Sequence, residues 1–211
     1  MNALVVTGTD TGIGKTVVAA MLTLALDAVY WKPVQSGTLK GTDAATVAAL
    51  TGLGPGHFLA EDYRLTQPLS PHRAAELDGV EIDPDTLVLP EVAADRPLVV
   101  EGAGGLMVPL TRRTLFIDVF RRWGAPVVVV ARTGLGTINH TLLSVEALRT
   151  RNIPILGIIF VGDANADNEE TISAYAGVRR LGRLARLPKL NAPTLQAAFA
   201  AGFRAEDFVL R

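Results

Sequence analysis

The chain has 211 residues, a formal net charge of −1, 49% hydrophobic residues and 19% charged ones. One compact domain spanning residues 1–211 is expected, and the charge balance supplies no polybasic field for a nucleic-acid backbone or an anionic membrane. The lack of cysteine excludes a disulfide framework, a thiolate metal site, an iron–sulfur cluster and a cysteine nucleophile.

Met1-Asn2 leads directly into the apolar run Ala3-Leu4-Val5-Val6-Thr7. With no basic n-region and no small-residue cleavage pattern, this reads as a first strand rather than a signal peptide, and the protein is expected to be cytoplasmic. Residues 98–100, 127–130 and 155–160 are similarly continuous apolar runs, the pattern of strands covered by helices on both faces. Helical patterns lie between and after them, at residues 16–26, 43–50, 139–149, 169–176 and 194–201. This alternation predicts an α/β fold, a doubly wound and mainly parallel sheet with helices on both faces. Pro97 and Pro126 stand immediately before two of the runs, where a missing N–H is tolerated at a strand start. The longest apolar stretches, residues 17–26 and 153–161, fall short of the roughly 20 residues of a membrane span and are expected in the core. Residues 52–90, rich in Pro, Gly and Asp, predict loops and short helices over one sheet edge.

The strongest chemical signal is Gly8-Thr9-Asp10-Thr11-Gly12-Ile13-Gly14-Lys15-Thr16, between a predicted strand and a predicted helix that continues with Val17. Glycines let backbone N–H groups converge on phosphate oxygens, and the helix N-terminus adds positive potential. Lys15 can then reach the outer phosphates and the Thr16 hydroxyl can ligate Mg²⁺. In Tyr30-Trp31-Lys32-Pro33, Pro33 biases Lys32 toward extended geometry at the carboxyl end of a second strand, near the phosphate loop; an ordinary surface lysine would satisfy the same pattern. Asp43, opening a helix, and Glu101, directly after Leu98-Val99-Val100 and before Gly102-Ala103-Gly104-Gly105, could complete a Mg²⁺ site with hard oxygen ligands. Asp43 could equally complement a helix dipole. Glu101 is costly at such a position unless solvated or paired. Asn139, following Gly134-Leu135-Gly136-Thr137-Ile138, lies at the same sheet edge or serves as part of a helix start. His57, His72 and His140 lack metal-ligand spacing, and Arg179, Arg180, Arg183 and Arg186 predict a solvated face.

Taken in order, the phosphate loop, Lys32-Pro33-Val34-Gln35-Ser36-Gly37, Thr42-Asp43-Ala44, Ser70-Pro71-His72, Glu101-Gly102-Ala103-Gly104-Gly105 and Gly136-Thr137-Ile138-Asn139-His140 closely resemble the dethiobiotin synthase family. The resemblance implies a P-loop NTPase-like ligase that joins CO2 and 7,8-diaminononanoate into a cyclic urea at the expense of a nucleoside triphosphate, in biotin synthesis. It implies that Gly12 to Val17, Gly102, Ala103, Gly104 and the Pro188-Lys189-Leu190 loop contact nucleotide, and that Thr16, Asp43 and Glu101 hold Mg²⁺. It further implies that Lys15 and Lys32 stabilise charge during transfer, and that Thr11, Ser36 and Asn139 contact substrate. The family's active sites lie at a homodimer interface. Many members carry asparagine after a late strand, at a purine-reading position, where this chain has Phe160-Val161-Gly162-Asp163; this predicts loose base selectivity, with CTP or another triphosphate replacing ATP. A partition-type ATPase switch shares the fold but resembles this chain less: its signature lysine, five residues before the loop lysine, is replaced by Asp10. Cobyrinic acid synthetases with a glutaminase domain require a cysteine that this chain lacks.

Overall fold

The computed structural model describes residues 2–209. Its strands and helices in chain order are β1 (Ala3–Gly8), α1 (Lys15–Ala25), β2 (Val29–Trp31), β3 (Val34–Ser36), α2 (Asp43–Thr51), β4 (Tyr63–Leu65), α3 (Pro71–Asp78), β5 (Leu98–Glu101), α4 (Phe116–Trp123), β6 (Val127–Arg132), α5 (Thr137–Thr150), β7 (Ile155–Val161), α6 (Ala166–Ala176), β8 (Arg180–Leu184) and α7 (Ala192–Gly202). Six strands form one sheet in the order β2-β5-β1-β6-β7-β8, and every pairing is parallel.

The continuous apolar runs become strands because each strand is covered on both faces. Ala3 and Val5 of β1 pack with Val127 and Val129 of β6 against α4 and α5 residues such as Phe116, Phe120, Val145 and Leu148. The alternate residues Leu4, Val6, Val128 and Val130 face Val18, Ala19 and Leu22 of α1, Val47 of α2 and Leu195 of α7. Period-two alternation thus divides one hydrophobic run between two cores.

The chain leaves β1 for β2 and β5 on one side and reaches β6, β7 and β8 on the other. In open parallel sheets, the carboxyl ends at such a reversal form a crevice where ligands bind. The phosphate loop follows β1, at that point. Gly14 enters α1 with φ 99°, a left-handed backbone that a side chain would resist.

Three elements differ from the sequence expectation. Residues 180–184 form the edge strand β8 rather than a uniformly solvated arginine face: Leu181 and Leu184 are buried, while Arg180 and Arg183 pair with the buried Glu169 of α6. Helix α4 was not foreseen. The segment at residues 52–90 contains α3 and also β4, which pairs in parallel with β3 in a small second sheet.

Candidate active site

The β2–β5 pairing places Trp31 opposite Val100, so Lys32 and Glu101 emerge side by side as these strands end. Both are buried, at 5% and 1% exposure. Glu101 Oε1 accepts hydrogen bonds from Thr16 Oγ1 at 2.9 Å and from Lys32 Nζ at 3.2 Å. Its other oxygen, Oε2, accepts from the Tyr30 hydroxyl at 2.8 Å. Lys32 Nζ also donates to Asp43 Oδ2. Asp43 is held in turn at the start of α2, where its backbone N–H donates to Gln35 Oε1 at 2.9 Å. Thr16, Lys32, Asp43 and Glu101, from four separate stretches of sequence, are therefore joined in one hydrogen-bonded chain.

Burial alone would depress Lys32, but the Glu101 and Asp43 carboxylates outweigh it and hold its pKa above the ordinary lysine value. Lys15 differs. Burial, opposed by Glu101 and reinforced by the Lys32 charge, lowers it to about 8. Its Nζ donates to the Asp10 carbonyl at 2.6 Å, and the Asp10 carboxylate pairs with Arg132 at 2.7 Å. The Tyr30 hydroxyl is pushed well above its usual pKa by burial and by Glu101, so it remains a proton donor.

Thr16, Asp43 and Glu101, expected as metal ligands, present a hydroxyl and two carboxylates, the hard oxygen donors that Mg²⁺ takes. The Lys32 ammonium already lies between the two carboxylates, which marks their meeting point as a place for positive charge. The donor set fits Mg²⁺ bound together with triphosphate oxygens. Among the described residues no group of three or more His, Cys, Asp or Glu gathers to hold a metal by itself.

A cavity of about 460 Å³ opens beside this cluster, lined by Thr11, Lys32, Ser36, Asp43, Ala103 and Gly104 among others. Ser36 Oγ is buried without a hydrogen-bond partner, as expected of a hydroxyl awaiting a polar ligand. Ala103 and Gly104, expected at the nucleotide, thus face this cavity. Gly12, Ile13, Gly14, Lys15, Thr16 and Val17 lie in the phosphate loop and first turn of α1, and Gly102 connects Glu101 to the cavity wall, its N–H bonded to the Val6 carbonyl.

On the other side of the loop, Gly14, Val17, Val161, Leu184, Ala185, Arg186, Leu187 and Leu190 enclose about 350 Å³. Leu190 lines this second cavity, whereas Pro188 and Lys189 of the same predicted loop are exposed beside it. Gly162, in the Phe160-Val161-Gly162-Asp163 stretch where the family resemblance expects asparagine, has φ 131°, and an added Cβ would come within 2.6 Å of Thr133 Oγ1. Its N–H donates to the Leu184 carbonyl at 3.0 Å, and its carbonyl accepts from Arg183 Nη1 at 3.0 Å.

Asn139 is exposed in the first turn of α5 and is not brought to the Lys32 cavity within one chain. Nearby, Asp10, Thr11, Met107, Val108, His140, Leu143 and Ser144 line a shallow concavity of about 390 Å³. Met107, Leu135 and Leu143 are exposed there and beyond its rim. The remaining histidines have structural contacts: His57 Nδ1 lies 2.9 Å from the Ala28 carbonyl and His72 Nδ1 lies 3.0 Å from Ser70 Oγ.

Sequence reasoning missed Tyr30, Gln35 and Arg132 as contributors. Tyr30 had a readable signal, since it stands two residues before Lys32 and a strand places such residues on one face. The bond from Gln35 to Asp43 depends on the short β3 strand and left no comparable trace.

A family model described as an AAA domain matches residues 2–194. The chain is 63% identical over 206 residues to the ATP-dependent dethiobiotin synthetase BioD of Rhodopseudomonas palustris strain TIE-1, covering 98% of this chain and 96% of that protein. It is 61% identical over 208 residues to the protein of the same name from Novosphingobium aromaticivorans, covering 99% and 100% of the two chains. Among solved structures, a ParA family ATPase from Chlorobium tepidum TLS matches with TM-score 0.50 and 13% identity, covering 96% of this chain and 90% of that one. The MinC:MinD cell division complex of Aquifex aeolicus matches with TM-score 0.51 and 11% identity, over 94% and 86%. These distant likenesses show a shared fold.

Proposed function

The chain belongs to the family of ATP-dependent dethiobiotin synthetases, and on that premise we propose how its residues perform the ligation of CO2 to 7,8-diaminononanoate, as one P-loop domain over residues 1–211. The observation that carries the reading is the meeting of Lys15, Lys32, Thr16, Asp43 and Glu101 at the phosphate loop, beside a cavity lined in part by Ser36, whose buried hydroxyl has no partner.

One amine of the substrate adds to CO2 and loses a proton, giving a carbamate. A carbamate oxygen attacks the γ-phosphorus and the nucleoside diphosphate leaves; the second amine then attacks the carbonyl carbon, phosphate departs and the urea ring closes. The obstacle is electrostatic, because an anionic carbamate must approach an anionic phosphate chain. Lys32, kept charged by its two carboxylates, orients the carbamate and offsets charge in the transfer. Lys15 leaves the Asp10 carbonyl and turns to the outer phosphates, whose negative charge favours its protonated form. Thr16, Asp43 and Glu101 would hold Mg²⁺, which supplies further neutralisation of the triphosphate. Thr11 and Ser36 contact the diamine or carbamate end. The protein aligns and neutralises; no enzyme nucleophile is required.

We place the substrate's carboxylate tail at Asn139 and the adjacent N–H groups of a partner subunit in a homodimer. The exposed Met107 and Leu143 that line the neighbouring concavity support this, since exposed groups of large apolar residues mark contact surfaces. ATP is the co-substrate, and the apolar wall of the second cavity supports use of CTP as well. Among the described residues no helix is long and apolar enough to cross a membrane, and the reaction is assigned to the cytoplasm. The partition-switch alternative has only the shared fold behind it, and fold alone does not assign function.

Incubation with ATP, Mg²⁺, ¹³C-bicarbonate and 7,8-diaminononanoate, followed by mass analysis, tests the reading. A cyclic urea carrying one ¹³C is expected; phosphate release with unlabelled or unchanged diamine would overturn it. Sedimentation at micromolar concentration is expected to show a dimer, and a monomer at the concentrations of full activity would remove the partner-subunit assignment.

A further inference from the structure

Among the described residues, three side chains donate to the buried Glu101 carboxylate: Thr16 and Lys32 to Oε1, and Tyr30 to Oε2. The first two have other duties. In the reaction just proposed, Thr16 turns to Mg²⁺ and Lys32 to the carbamate, so the donors of Oε1 are drawn away as the site fills. Tyr30 touches none of the reacting groups. Its ring is fully buried on the edge strand β2 and is met edge-on by Phe58 at a centroid distance of 6.3 Å, while the two backbones form an isolated bridge.

We propose that Tyr30 is the positioning residue for the metal site: its hydroxyl holds Glu101 Oε2 and thereby presents Oε1 to Mg²⁺. This rests on the assignment of Glu101 as a metal ligand. A buried carboxylate that loses its donors is unfavourable and free to rotate, and groups hydrogen-bonded behind a ligand commonly set metal affinity. Tyr30 retains its bond at every stage because the phenol is fixed by packing outside the reacting set. A phenol at this depth needs an acceptor, and the one it takes is the carboxylate that also receives Thr16 and Lys32.

The test uses the full chain and the nonhydrolysable β,γ-methylene analogue of ATP, with binding measured by calorimetry with and without Mg²⁺. Tyr30→Phe keeps the ring and removes one hydroxyl. It is expected to reduce the Mg²⁺-dependent gain in affinity roughly tenfold, in line with the effect of removing other such supporting groups, and to leave metal-free affinity unchanged. Phe58→Leu, which loosens the ring and spares the hydroxyl, should give a smaller loss in the same direction and serves if the first variant folds poorly. Glu101→Gln is measured alongside. If it retains the full Mg²⁺ gain, the ligand assignment fails and the proposal fails with it. If it loses the gain while Tyr30→Phe keeps it, the Tyr30 proposal alone is overturned. Equal weakening of Tyr30→Phe with and without Mg²⁺ also overturns it, by assigning Tyr30 to packing.

Discussion

The cavity beside β2 and β5 is bounded by buried charge with fixed partners, whereas the cavity beside β7 and β8 is walled mainly by Val17, Val161, Leu184, Leu187 and Leu190. On the first side, Lys32, Glu101, Asp43 and Thr16 restrain one another through hydrogen bonds. On the second, both backbone groups of Gly162 are already engaged, by Leu184 and Arg183. Under the proposed function, the contrast would separate two tasks within one nucleotide site. Charge transfer needs preorganised groups, while a nucleoside base can be held by apolar contact without its edge being read. Under the proposed function, the site would be strict where bonds change and tolerant where the base rests.

The largest effect should follow Lys32→Ala. Removing a preorganised charge from the transfer step is expected to lower turnover by about 10² to 10³, while nucleotide affinity stays within a few fold. Binding and single-turnover measurements check this, and loss of affinity with normal turnover at saturation would break the division of tasks. The second effect concerns base identity. Hydrogen-bonding pockets reject analogues by roughly 10⁴ or more and apolar ones by about 10² or less, so kcat/KM for ATP, CTP, GTP and UTP should span less than about 100-fold. Next, Leu187→Ala should raise KM for ATP and CTP about equally, by roughly tenfold or less, and leave kcat unchanged; an effect on one base only would show that the wall reads the base.

The smallest effect lies outside both cavities and sharpens the contrast as a control. The exposed Glu76 carboxyl of α3 is held at about 2 by hydrogen bonds from Arg112 and Arg73. Because its folded pKa is depressed, any stabilisation is present above the unfolded carboxyl range, near 4.5, and fades as pH falls toward 2. Arg112→Ala should return the carboxyl toward its ordinary range in an NMR titration without altering turnover, since exposed ion pairs contribute little to stability.

Much of the cluster at the ends of β2 and β5 was legible in the sequence because its parts sit at strand ends. Apolar runs located β1, β5, β6 and β7, and the glycine pattern located the phosphate loop. Lys32 and Glu101 each followed an apolar strand, so a parallel sheet had to deliver both to one edge. Asp43 was ambiguous because a carboxylate at a helix start has a local use, and only its bond from Lys32 and the bond from its backbone to Gln35 show how it is aimed. The base side was harder to foresee. Strand β8 carries Arg180 and Arg183 among its five residues, and their buried partner Glu169 lies on a different element, so the segment reads as a charged surface until α6 packs beside it. Helix α4 was hidden by the short length of its amphipathic pattern, and β3 and β4 are only three residues each.

The most direct measurement is phosphate release from ATP and from CTP, each with Mg²⁺ and CO2, in the presence and absence of 7,8-diaminononanoate. Release is expected with both nucleotides and only when the diamine is present. Release without diamine, or turnover with ATP and none with CTP, would contradict a site that is strict at the reacting end and tolerant at the base.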